Sequence, residues 1–70
     1  MDSQKSISIL RRKQVEGITG LSRSSIYAMI DDGTFPKQIN LSERSVGWLE
    51  HEVQEWLENR ISASRKRGVR

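Results

Sequence analysis

The stretch that most constrains this chain is Thr19-Gly20-Leu21-Ser22-Arg23-Ser24-Ser25-Ile26-Tyr27, a glycine-bearing turn that opens directly into a short amphipathic helix. Ahead of it, Arg12 to Ile18 reads as another short helix, with Val15 and Ile18 three residues apart on one face. Gly20 suits the position just past a helix end, where a left-handed backbone is cheap only for glycine. Leu21 is expected as a buried plug between the two helices. Ser22 fits the N-cap of the second, its hydroxyl accepting from the backbone N–H of Ser24 or Ser25. Ile26, Met29 and Ile30 supply the buried face of that helix, and Asp31-Asp32-Gly33 ends it. Two short helices joined by such a turn form a helix-turn-helix, whose second helix usually enters the major groove of DNA.

Seventy residues allow one small domain with one core. Cysteine is absent, so neither disulfides nor a thiolate zinc site can brace it. Stability must come from burying a few large side chains. Trp48, Trp56, Phe35 and Ile39 are the expected core, each tryptophan able to bury roughly 150–250 Å². No apolar run approaches the ~20 residues of a membrane span. The N-terminus lacks the order of a signal peptide, which predicts a cytoplasmic, nucleoid-associated protein.

Around the two helices the pattern alternates. Ile7-Ser8-Ile9-Leu10 reads as a short strand or as an extended lead-in that packs Ile9 or Leu10 on the core. Gln38-Ile39-Asn40-Leu41 and Ser45-Val46-Gly47-Trp48 alternate on either side of the polar turn Ser42-Glu43-Arg44, which predicts a two-stranded β-hairpin. A hairpin directly after a helix-turn-helix is the wing of a winged helix. In the last helix Leu49, Val53, Trp56, Leu57 and Ile61 share one face, while Glu50, Glu52, Glu55 and Glu58 occupy the others. The expected fold is α+β and mainly helical: a small winged helix-turn-helix over residues 9–61, a flexible N-terminus over 1–8 and a loose basic tail over 62–70.

The net charge of +3 conceals a sharper pattern. Residues 49–59 hold four glutamates and no lysine or arginine, whereas residues 60–70 hold five basic residues and no acid. A DNA-facing surface should therefore lie away from the acidic segment. His51, the only histidine, sits among glutamates and reads as a solvated side chain rather than a metal ligand. No serine has a histidine at catalytic spacing and no phosphate-binding loop is present, so neither catalysis, a cofactor nor a metal is expected.

The chain resembles the AlpA family of prophage-encoded regulators, relatives of excisionase and MerR-type winged helices. The resemblance covers about residues 9–61. It rests on Leu10-Arg11-Arg12-Lys13-Gln14-Val15, on Thr19 to Tyr27, on Gly33-Thr34-Phe35-Pro36-Lys37, and on Ser45-Val46-Gly47-Trp48-Leu49-Glu50 followed by Val53, Trp56 and Leu57. Four separated blocks in the right order are specific where one would be weak. The resemblance implies a DNA-binding transcriptional regulator of a mobile element, or an architectural excision factor for a site-specific recombinase, and not an enzyme. Glu43 beside Arg44 makes this wing less basic than those of many family members.

The expected DNA-binding residues follow from position. Arg23, Ser24 and Tyr27 lie where bases and phosphates are read, against the alternative of a capped surface helix with a solvated arginine. Ser22 is first a cap, and Ser25 is placed to donate to a phosphate near the helix N-terminus. Arg11, Arg12 and Lys13 precede a helix that lies across the phosphate backbone, where they would act through counterion release. Lys37 and Arg44 flank or tip the wing, Arg44 suiting a narrow minor groove. The basic tail would add sequence-independent affinity. Double-stranded DNA is the expected partner, with a recombinase, RNA polymerase or another copy of the chain as further ones. The rival from another class is a protein-interaction module that docks through the last helix or the patch around Met29.

Overall fold

A computed structural model describes residues 7–66. The order is β1 (Ile9–Leu10), α1 (Arg12–Thr19), α2 (Arg23–Asp32), β2 (Ile39–Asn40), β3 (Val46–Leu49) and α3 (Glu50–Lys66). Three helices and a small antiparallel sheet make a mainly helical winged helix-turn-helix, as expected. The wing is the β2–β3 hairpin, with Ile39 opposite Gly47 and Asn40 opposite Val46. Of the two readings of Ile7 to Leu10 the strand holds, adding a third strand to the hairpin: β1 pairs antiparallel with β3, Ile9 opposite Leu49 and Leu10 opposite Trp48. Thus β3 is central in the order β1-β3-β2, and both α1 and α3 pack on it.

The core follows from that arrangement. Leu10, Val15, Ile26, Phe35, Trp48 and Val53 are buried, one or more from nearly every element. Trp48 is wholly enclosed, its Nε1 donating to the Pro36 carbonyl at 3.0 Å, so its one polar group is satisfied inside. Trp56 departs from expectation. It is half-buried, packed edge-on against Phe35 at 4.8 Å between centroids, with Nε1 donating to the Thr34 carbonyl and the Arg60 guanidinium 5.1 Å from its ring. A domain this small has interior for one enclosed indole, and the second lies over the connection from α2 to β2.

Several other expectations are corrected. Ile39 is only half-buried because, opposite Gly47, it points to the face of the sheet away from the helices. Leu21 is half-buried rather than enclosed, although it packs against the core. Ile18 is 43% exposed: α1 meets β3 and α2 through Val15, and the covering layer ends before its last turn. Leu49 belongs to β3 and not to the helix, since pairing with Ile9 keeps the backbone extended to that point. The Glu50 N–H then donates to the Ser8 carbonyl at 2.9 Å where strand becomes helix.

The largest correction is at the other end. α3 runs to Lys66, through residues read as the start of a loose tail. Extending a helix that already exists avoids the cost of nucleation, and Arg65 and Lys66 in its last turn complement the helix dipole. Residues 58–66 are all exposed, Ile61 included at 48%, because α3 outruns the sheet it packs on. The expected flexibility of residues 1–6 and 67–70 lies outside the described residues.

Candidate nucleic-acid interface

The turn between α1 and α2 is built from three local devices. Thr19 Oγ1 donates to the Val15 carbonyl at 2.7 Å and accepts the Leu21 N–H at 3.1 Å. Gly20 adopts φ +75° and donates its N–H to Glu16, closing α1. Ser22 then caps α2: its Oγ accepts the Ser25 N–H at 3.1 Å and donates to Ser25 Oγ at 3.1 Å. Of the two partners expected for that cap, the structure selects Ser25. Ser22 is thereby occupied inside its own chain.

Ile26 is buried and Met29 and Ile30 half-buried, so the opposite face of α2 is turned outward. Its first turn exposes Arg23, Ser24 and Ser25, followed by Ala28. Tyr27 is half-buried and tilted against Trp48, with 6.3 Å between centroids, so its ring helps anchor α2 to the core. Ala28 was not singled out from sequence, where alanine carries no chemical signal. On this outward face its methyl leaves space for close approach and matches the apolar contact that reads a thymine methyl.

The three basic residues at the start of α1 are not equivalent. Arg11 Nε donates to the Val46 carbonyl at 3.1 Å, tying the helix start to the wing. Its own N–H is accepted by Gln14 Oε1 at 2.8 Å, half of a capping box that arginine has no acceptor to complete. Arg12 Nε meets Glu16 Oε2 at 3.1 Å, an i,i+4 pair that offsets its charge. Lys13 is exposed.

The wing turn is held by Leu41 and Ser45, the Leu41 N–H donating to the Ser45 carbonyl at 2.8 Å. That leaves Ser42, Glu43 and Arg44 exposed at the tip. Arg11 and Arg44 are therefore associated with one hairpin, and Arg23, Ser24 and Ser25 with one helix end. Lys37 is exposed in the α2–β2 connection, and among the described residues no hydrogen bond ties it to the others. Described residues include no helix long and apolar enough to cross a membrane and no cluster of three metal-ligating side chains.

This geometry joins a helix-turn-helix, a wing and a terminal helix in the same order as the four sequence blocks. A family model described as the prophage CP4-57 regulatory protein (AlpA) matches residues 8–61. The chain belongs to the AlpA family. It is similar to the DNA-binding transcriptional activator AlpA of Escherichia coli (strain K12), 39% identical over 66 residues that cover 86% of this chain and 94% of that protein. It is also similar to the uncharacterized protein ORF88 of Enterobacteria phage P4, 49% identical over 59 residues, covering 84% of this chain and 66% of that protein. The AlpA match extends over the turn, α2, the wing and most of α3.

Proposed function

We propose that this AlpA-family chain is a sequence-specific duplex DNA-binding transcriptional regulator of a prophage or mobile element. The carrying observation is the first turn of α2, capped by Ser22 and exposing Arg23, Ser24 and Ser25 together at a helix N-terminus. In this reading α2 enters the major groove by that end and the β2–β3 wing lies beside it. Arg23 and Ser24 contact base edges, Ser25 and the backbone amides meet a phosphate, and Ala28 sets the depth of approach. Arg11, Lys13 and Arg44 meet the backbone along α1 and the wing, while Lys37 makes at most a peripheral contact. Ser22 and Tyr27 act indirectly, by holding the helix that carries the reading residues. Similarity to an E. coli DNA-binding transcriptional activator supports this choice among winged-helix roles.

Selection from a pool of random duplexes at two salt concentrations tests the reading. An enriched motif whose binding weakens steeply with salt is expected. Tandem motifs with bending of the duplex would reassign the chain to an excision factor for a recombinase. Absence of enrichment, with binding indifferent to salt and to loss of Arg23, would overturn DNA reading in favour of a protein-docking module.

A further inference from the structure

The outward side of α3 lies opposite Val53, Trp56 and Leu57, which face the body of the protein. Beyond the sheet this side carries Glu58, Ser62, Arg65 and Lys66, and Ile61 widens the stripe on the flank toward the apolar face of Leu57, all five exposed. The segment from 58 to 66 is about 13 Å long at a helical rise of ~1.5 Å per residue. Its residues are all exposed, although Arg60 leans back over the Trp56 ring. Five of its nine residues, Glu58, Arg60, Ala63, Arg65 and Lys66, are good helix formers, so the helix persists there while its surface stays uncovered.

The stripe is charged in opposite senses at its two ends, Glu58 at one and Arg65 with Lys66 at the other, with Ile61 and Ser62 between them. Such an order is complementary to itself when reversed. From this we infer that α3 pairs antiparallel with α3 of a second copy of the chain, about a two-fold axis at Ser62. In that register Glu58 faces Lys66 of the second copy, Lys66 faces Glu58, and the Ile61 side chains flank the axis. A parallel pairing would instead set Glu58 on Glu58 and lysine on lysine. The contact is small beside the roughly 1,200 Å² that stable interfaces bury. It is therefore weak between separate molecules and gains strength when two copies are held near each other. It does not depend on the DNA-binding reading, and it is tested without DNA.

The absence of native cysteine gives a clean probe. Across an antiparallel helix pair ~8–10 Å apart, Cα atoms at the axis come within the ~4.4–6.8 Å that a disulfide spans. Ser62→Cys and Ser64→Cys, both at exposed positions but on opposite sides of α3, are oxidised in the full chain at high micromolar concentration. The pairing predicts covalent dimers from Ser62→Cys and few from Ser64→Cys. In the Ser62→Cys background, Glu58→Lys or Lys66→Glu should lower dimer yield about three- to tenfold, as expected when two exposed ion pairs become repulsions. The double reversal should restore it. Equal cross-linking at the two cysteine positions, or a double reversal no better than the singles, would overturn the pairing.

Discussion

Arg23 and Lys13 are both exposed cations beside the helix-turn-helix turn, yet their roles under the proposed function differ. Arg23 sits in the first turn of α2, where an arginine fork can meet a guanine edge. Arg23→Ala should weaken binding to the selected motif by about 1–3 kcal/mol and relax preference at one base position. Titrations of motif and scrambled duplexes check this, and equal losses on both would reduce Arg23 to a phosphate contact. Lys13 is placed to act by charge alone, so Lys13→Ala should lower the salt slope of binding by about one without changing the motif. Arg12→Ala should change that slope less, because Glu16 already balances its guanidinium. Slopes measured at four or more salt concentrations would separate the two. The difference between these neighbours was not legible in the run Arg11-Arg12-Lys13, where each reads as one positive charge. It comes from which acceptor, Val46, Glu16 or water, the fold brings to each.

Among the elements, the wing depends on one glycine. A Cβ at Gly47 would collide with Ile9 Cγ2 and lie 3.1 Å from Leu41 Cδ1 and 3.2 Å from the Leu10 carbonyl oxygen. Ile9 therefore lies across the middle strand, on the side of the sheet away from the helices, and joins β1 to the hairpin. Gly47→Ala should destabilise the domain by about 1–3 kcal/mol through overpacking. Ile9→Ala removes the colliding atom, so the penalty of Gly47→Ala should shrink in that background. Urea unfolding of the four chains completes the cycle, and additive losses would mean that Ile9 is not the obstacle. The hairpin itself was legible from alternation around a polar turn, as were both helices of the helix-turn-helix from glycine and serine at their ends. The third strand was legible only as one of two readings of Ile7 to Leu10, because two residues cannot display a period and only their pairing with β3 makes them a strand.

For the whole molecule, stability concentrates in Trp48, which is enclosed by side chains from the sheet and the helices. Trp48→Ala should cost about 3–5 kcal/mol. Natural domains hold only about 0.05–0.15 kcal/mol per residue, so this loss takes from roughly a third to all of the stability a chain of this size has. Trp56→Ala should cost less, because that indole is already half-exposed. Circular-dichroism melts should show Trp48→Ala losing its fold at a much lower temperature than Trp56→Ala, and the reverse order would refute the assignment of the core. The sequence by itself determined the number and type of the main elements, the caps Gly20, Ser22 and Gly33, and the family, because these rest on local backbone preference and short-range spacing. Only the tertiary structure decided which apolar residues are covered. Ile18, Ile61 and Trp56 lie at helical spacing on apolar faces, but burial requires a second surface opposite, and the sheet is too small to reach all of them. It also decided that α3 continues bare to Lys66, since a helix end without a packing partner leaves no periodic mark in the chain that forms it.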